Sequence, residues 1–494
     1  MAKARRSSFE GRSASLTAIG LLTLVLSGCR VGPNYHAPPA PVPPAFTGAT
    51  TTATPAQQAA ISYSDWWKVF HDPLLDKFEV EADAANTDIR MALAHVDKAA
   101  AMTKFAQSYQ MPTVGADPNV SRTRESLNRP NNGNTYGKAA TYNDIQLPLV
   151  MNYEIDAWGR VRRTIEAARA TQSASEDDLR FVRLATEATV AIDYYSLRES
   201  DQQLAVIDHM LVDMQQALDL TESLFQHGLS SDLEVAQAKT LLDQTAAQKQ
   251  TLIVQRAQFE HALAVLLGRT AESLTIPLQP ANLSPPKIPV GLPADLLTRR
   301  PDVAAADRQV AAANAQIGIA KAAYFPQLSL TGLVGYESSN AATLVNWQNT
   351  IASLGAGVTA PIFTGGRLRA GVEQAQAAYQ ASLAQYEKAV LVSYQQVEDQ
   401  LTALRYLETQ AHLQQLAIED AQRTEQIALQ RFKGGIDSYL TVVTAQQSVL
   451  MNEQIAAQIA GQREIDSVVL IKALGGGWAG AKHPDASVHR PSPT

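Results

Sequence analysis

Arg431-Phe-Lys-Gly-Gly-Ile-Asp-Ser-Tyr-Leu-Thr-Val-Val-Thr444 decides how this chain is read, because it interrupts one very long helical pattern and starts another. A diverged copy lies upstream at Leu224-Phe-Gln-His-Gly-Leu-Ser-Ser-Asp-Leu-Glu-Val-Ala-Gln237. Phe225 answers Phe432, Gly228 answers Gly435 and Leu233 answers Leu440, each at a spacing of 207 residues. Gly159-Arg160 against Gly366-Arg367, Arg162 against Arg369 and Leu267-Gly268 against Leu474-Gly475 keep that spacing, so the chain is a tandem repeat. Upstream, Pro112 pairs with Pro326 at 214. The first copy therefore carries about seven extra residues, placed in a loop between two strands.

Working outward from the two turns, neither Gly nor Pro occurs between Arg160 and His227, and only Gly371 between Arg367 and Lys433. Two helices of roughly 65 to 70 residues follow, each about 100 Å long, too long for one compact domain. Past Gly228, Ser231 and Glu234 form a Ser-x-x-Glu capping box that starts a helix running to Leu267. Past Gly434-Gly435, Asp437 or Ser438 caps a last helix running to Leu474. Leu383, Val390, Val397, Leu404 and Ala411 fall seven apart in the second long helix, a coiled-coil seam. Leu74 to Met111 is free of Gly and Pro and reads as one helix of about 35 residues, ended by Pro112. Pro301-Asp302 opens its counterpart and Pro326 closes it. In the first copy, the two shorter helices together match the long one in length, so they are expected to stack end to end alongside it.

Between these helices the pattern changes to period two. Val114, Ala116 and Val120 alternate with Asp117, Asn119 and Ser121; Ile145, Leu147, Leu149, Met151 and Tyr153 alternate with Asp144, Gln146 and Asn152. Arg129 to Asn134 is a polar turn, giving a hairpin over 113–153. Leu328, Leu330, Val334 and Tyr336, then Leu354, Ala356, Val358, Ala360 and Ile362, repeat the alternation in a second hairpin over 327–363. Strands of about ten to twelve residues with one apolar face suit a bilayer-spanning barrel. Four strands cannot close around a lumen, and an open edge in lipid is prohibitive, so the chain is expected to oligomerise. Three copies supply about twelve strands. Their helices would form a hollow cylinder, with Ala375, Ala377, Ala378, Ala381 and Ala384 allowing close lateral contact.

The 494 residues carry a net charge of −7 and a pI near 5.8, with no dense basic run, which gives no support for nucleic-acid binding. Lys3, Arg5 and Arg6, the apolar run Leu16 to Leu26 and then Leu26-Ser27-Gly28-Cys29 read as a signal peptide over 1–28. Arg5-Arg6 is read as ordinary leading charge. The last four residues resemble a bacterial lipobox, which implies N-palmitoyl and S-diacylglycerol groups on Cys29, the chain's single cysteine. Arg30 in the next position implies sorting to the outer membrane. Residues 29–72 are read as a lipidated tether and equatorial segment, Pro-rich from Ala37 to Pro44. The first repeat is placed at 73–275, a Pro-rich linker at 276–294, the second repeat at 295–475 and a disordered tail at 476–494.

Chemistry-bearing motifs are sparse. Gly355-Ala-Gly-Val-Thr-Ala360 lies inside an alternating strand, and Gly475-Gly-Gly-Trp-Ala-Gly480 precedes no helix, so neither has the context of a dinucleotide site. His71, His95, His209, His227, His261 and His412 are scattered without metal-ligand spacing. No enzyme activity, metal or other cofactor is expected. A lipid-anchored coiled-coil scaffold leaves the four amphipathic strands unexplained.

Several segments carry a resemblance. Val31-Gly-Pro-Asn-Tyr35, Asp65-Trp-Trp67, Asp156-Ala-Trp-Gly-Arg160, Leu297-Thr-Arg-Arg-Pro-Asp302, Ala360-Pro-Ile-Phe-Thr-Gly-Gly-Arg367 and Arg431-Phe-Lys-Gly-Gly-Ile-Asp437 together resemble the TolC-like outer membrane efflux family, in its lipoprotein branch serving RND-type pumps. The resemblance implies a mainly helical homotrimer: a 12-stranded outer membrane β-barrel, a long periplasmic α-barrel and an equatorial region. It further implies a periplasmic adaptor (membrane fusion protein), an inner membrane RND-type transporter, contact with outer membrane lipid, and a passive conduit for drugs or other small molecules. A type I protein secretion duct is the alternative. His227, Gly228, Leu229, Ser231, Gly434, Gly435, Ile436 and Ser438 would form the periplasmic tip and its adaptor contact. Leu440 matches a pore-lining Leu of the family, against a plain packing role. Thr444 stands where the family commonly has an acid, and Asp437 either supplies the charge of the periplasmic gate or caps the last helix.

Overall fold

The computed structural model describes residues 30–40, 42–47, 65–126, 141–280, 283–288 and 299–476. The signal segment, Cys29, the turn at Arg129–Asn134 and the tail from 477 onward lie outside these residues, as do parts of the tether and linker. The first copy comprises α1 (Pro73–Ala85), α2 (Thr87–Ser108), β1 (Thr113–Ala116), β2 (Asn119–Arg124), β3 (Thr141–Ile155), α3 (Arg160–Gln226) and α4 (Asp232–Leu266). The second comprises α5 (Pro301–Ala322), β4 (Gln327–Ser338), β5 (Thr350–Thr359), α6 (Arg367–Lys433) and α7 (Tyr439–Ala473). Helices α3 and α6 each have 67 residues, and α4 and α7 each have 35. Both pairs begin 207 residues apart.

Two expectations need correction. The segment Leu74 to Met111 is two helices, broken at Asn86, whose ψ of 135° is extended. The Asn86 side chain causes the break: its Oδ1 accepts from the amides of Asp88 (2.8 Å) and Ile89 (3.2 Å), capping α2, while its Nδ2 donates to the Leu266 carbonyl at 2.9 Å. The end of α4 therefore meets the α1–α2 junction. The strand over 113–124 is also split, because Pro118 has no N–H to give the ladder. Its two parts, β1 and β2, nevertheless pair with β3 in one uninterrupted register, from Thr113↔Asn152 through Asn119↔Gln146. Strand β5 stops at Thr359, just before Pro361.

The chain forms two compact units, each drawing on both repeats. The unit of Met1–Pro38, Val96–Ala174 and Ala306–Gln385 holds the sheet, antiparallel in the order β1-β3-β4-β5 with β2 also on β3. The unit of Pro39–His95, Ser175–Ala305 and Tyr386–Thr494 holds most of the long helices. Its core packs Leu204, Ile207, Met210 and Met214 of α3 with Leu241 and Leu252 of α4, Phe432 of α6 and Val442 and Val449 of α7. Val390 and Val397 of the heptad seam are fully buried here. Phe46 is buried beside Tyr394, and Thr47 donates to Glu398 from its amide (2.7 Å) and its hydroxyl (2.8 Å), so the tether is fastened at this point rather than free.

One feature of this unit has no sequence signal. Glu79 is fully buried and neither carboxylate oxygen has a hydrogen-bond partner. Burial, then the nearby charges of Glu187, Asp76 and Asp83, push its carboxyl well above the usual range. Glu187 accepts from the buried Trp66 Nε1 at 2.9 Å, yet burial raises it to about 7. Among the described residues no group of His, Cys, Asp and Glu is placed to hold a metal ion. No helix among them is long and apolar enough to cross a membrane.

Candidate functional site

Both long helices end the same way. At the first turn, Gly228 takes the left-handed conformation (φ 73°), and the amides of Gly228 and Leu229 donate back to Phe225 (2.9 Å) and Leu224 (2.8 Å). At the second, Gly435 does the same (φ 67°), with Gly435 and Ile436 donating to Phe432 and Arg431, both at 2.9 Å. This pairing of bonds is a Schellman motif, and it needs a residue without Cβ at the left-handed position. Gly434 is not in that conformation and precedes it.

The restarts differ. In the first copy Ser231 and Glu234 form the expected capping box. In the second, the side chain of the N-cap residue Ser438 makes no capping bond, and Thr441 stands where the box needs an acid. Glu234 of the other repeat supplies an acceptor to this helix start, at the N1 amide of Tyr439 rather than at the N-cap amide. Its carboxylate takes Ser230 Oγ (2.5 Å) and the Ser231 amide (3.0 Å), and its other oxygen takes the Tyr439 amide at 3.3 Å. The Ser230 bond first, then the Ser231 amide, hold this carboxyl below its ordinary range. Tyr439, fully buried, stacks edge-on to Phe432 with ring centroids 5.1 Å apart.

The expected cap at Asp437 is corrected. Its carboxylate is turned to Arg431 in a two-bond ion pair, 2.6 Å and 3.0 Å. The hydrogen bonds from Arg431 lower the Asp437 carboxyl and raise the guanidinium. Nothing in the sequence marks Arg431 as the partner of Asp437. Leu229, Leu233, Ile436 and Leu440 are all exposed, so Leu440 does not pack against the other helices of its own chain. Thr444 is exposed one turn beyond Leu440, and its hydroxyl donates to the Thr441 carbonyl at 2.9 Å. Gln447 and Met451 continue this exposed stripe of α7. His227 is exposed, with its Nδ1 2.7 Å from the Ser223 carbonyl.

The sheet is the second candidate surface. Cross-strand register aligns the apolar positions in rows: Val114–Met151, Ala116–Leu149–Val334, Leu147–Tyr336, Tyr153–Leu330–Ala356 and Ile155–Leu328–Val358. Directly opposed residues point to the same side of a sheet, so these rows make one apolar face. The other face is mainly polar, with Asn152–Thr331–Gly355, Glu154–Ser329–Gly357 and Gln146–Glu337, and carries Val150–Leu333 and Ile351 as apolar exceptions. Leu149, Val334, Leu354 and Val358 are more than half exposed, an apolar surface that water does not favour. The Gly355–Ala360 motif lies mostly in β5, within this sheet.

A sheet apolar on one face and mainly polar on the other, joined to paired helices of 67 and 35 residues, defines an outer membrane channel of TolC-like fold. The family model for outer membrane efflux proteins matches residues 80–269 and 292–476. The solvent efflux pump outer membrane protein SrpC of Pseudomonas putida is 32% identical over 461 residues, covering 92% of this chain and 97% of its own. Among solved structures, the outer-membrane channel OprN superposes with a TM-score of 0.84 at 27% identity, over 91% of this chain and 100% of that one. The CmeC outer membrane channel of Campylobacter jejuni gives 0.84 at 26% identity, over 91% and 95%. The chain belongs to the outer membrane efflux protein family, and it is the outer membrane channel of an efflux pump.

Proposed function

We propose that three copies of this chain assemble into a passive exit duct for drugs or other small apolar molecules, fed by a periplasmic adaptor and an inner membrane RND-type transporter. The observation that carries this reading is the sheet. Among the described residues it offers one apolar face and four strand positions, with β1/β2 and β5 as edges. Lipid forbids unpaired edges, and three such sheets reach the size of known closed barrels. Acylation of Cys29 would hold the mature N-terminus to the same membrane. The similarity to SrpC, named for solvent efflux, supports a small-molecule cargo.

The exposed Leu440 supports a constriction at the tip, since three such side chains around an axis make a dry ring. The two turns at Gly228 and Gly435 then offer Leu229 and Ile436 to the adaptor. The mature protein, purified in detergent, should run as a trimer, and its deletion should increase susceptibility to apolar drugs. A monomer soluble without detergent would overturn the reading. At the gate, Leu440→Ala should raise single-channel conductance in a planar bilayer about twofold or more. Conductance equal to wild type would remove Leu440 from that role.

A further inference from the structure

Arg163 is an unusual residue in its place. It sits in the first turn of α3, where the helix dipole disfavours a cation, and its side chain has no exposed surface. Its neighbours Arg160 and Arg162 pair with Glu154 and Asp156. Arg163 instead spends its donors on the start of the mature chain. Nε donates to the Val31 carbonyl (3.2 Å), and Nη2 donates to the Gly32 carbonyl (3.2 Å) and Asn34 Oδ1 (3.0 Å). Glu166 neutralises it through Nη1 at 2.9 Å and also reaches Arg30 at 3.4 Å.

The other side of the segment is held as closely. The Val31 amide donates to the Trp158 carbonyl at 3.1 Å, Asn314 of α5 donates to the Pro33 carbonyl at 3.1 Å, and the Tyr35 hydroxyl bonds Asp307. Gly32, at φ 94°, lies so near α5 that a Cβ would stand 2.5 Å from the Gly318 Cα. A Cβ on Gly318 would in turn stand 2.9 Å from Arg163 Nε. The peptide, Gly318 and the guanidinium are stacked with no room for a methyl group.

The repeat supplies an independent argument. At the spacing of 207, Arg163 corresponds to Ala370; at 214, Asp307, Asn314 and Gly318 correspond to Leu93, Ala100 and Lys104. Residues that serve the duplicated fold have reason to recur in both copies, whereas the chain has one N-terminus. Four of the five positions that grip it occur in one copy only; the fifth, Glu166, recurs as Glu373.

We propose that Arg163, Glu166, Asp307, Asn314 and Gly318 form an intramolecular receptor for residues 30–35, binding the mature N-terminus where α3 begins. Its membrane consequence rests on the acylation reading: Cys29 precedes the clamped Arg30 directly, and Val31 is bonded to Trp158, three residues beyond the end of β3. On that reading, acylated Cys29 would be joined directly to a peptide clamped at the start of α3.

Trypsin cleavage of the Arg30–Val31 bond tests the receptor in the full-length protein from outer membranes. Wild type resists, and Arg163→Met, which keeps length but removes all donors, is cut at least tenfold faster. Asn314→Ala, a milder change that spares the fold if Arg163→Met does not assemble, is cut at an intermediate rate. Glu398→Ala, at the distant fastening of Thr47, leaves the bond protected. Cleavage of wild type at the rate of an unstructured peptide, or of assembled Arg163→Met or Asn314→Ala at the wild-type rate, overturns the receptor. The mass of the N-terminal fragment separates the two readings: protection without an acyl mass keeps the receptor and discards the anchor.

Discussion

Glu234 joins turns that lie 205 positions apart in the chain, through its bond to the Tyr439 amide. Replacing an N-terminal helix cap costs about 1 kcal/mol, and leaving a buried amide unpaired costs about as much again. Glu234→Ala should therefore speed amide exchange at Tyr439 and Ser231 by about tenfold or more, while the thermal midpoint, set by the long helices, barely moves. Hydrogen-exchange mass spectrometry of the tip peptides reads this directly, and unchanged exchange at Tyr439 would falsify the shared cap. Half of this site was legible in the sequence, because Ser-x-x-Glu at 231–234 announces itself. The other half was not, since Ser-x-x-Thr at 438–441 shows only that a cap is missing, and a bond between repeats has no periodic trace. Asp437 reads as a cap for the same reason, because nothing in the sequence marks its partner, Arg431, six residues back.

At the scale of elements, the long helices were visible through what they lack: without Gly or Pro there is nothing to stop them. Their ends fell within a residue or two of Gly228 and Gly435. The break at Asn86 was hidden, because Asn is tolerated in helix interiors and its role as a cap depends on the Leu266 carbonyl, 180 residues away. Asn86→Ala removes the α2 cap and orphans that carbonyl, a loss of about 1 to 3 kcal/mol. Asn86→Asp keeps the cap alone. The thermal midpoints should fall in the order wild type, Asn86→Asp, Asn86→Ala; equal midpoints would show that the junction contributes nothing. In the strands, period-two alternation identified the faces correctly because register later aligned them. Pro118 and Pro361 set the interruptions.

For the molecule as a whole, the buried acids set a pH dependence. Glu187 and Glu464 are each raised to about 7 by burial, and Glu79 lies higher than its ordinary value as well. A carboxyl whose folded value exceeds its unfolded value near 4.5 favours folding at low pH; that stability is lost as pH rises through about 7. The shift at Glu187 corresponds to about 3 kcal/mol between the two limits. Wild type should thus melt at a higher temperature at pH 5 than at pH 8, and Glu187→Gln, which can still accept from Trp66, should flatten that slope by gaining stability mainly at pH 8. A variant with the wild-type slope would show that Glu187 does not titrate in this window. None of this was legible in sequence, where Asp76, Glu79 and Asp83 fall on one helical stripe that resembles a solvated face. The bond from Glu234 to Tyr439 has a mechanical corollary. Since one carboxylate bonds both hairpins, drawing the two turns apart must first unfasten that clasp, whereas moving them together as a single lever leaves it intact.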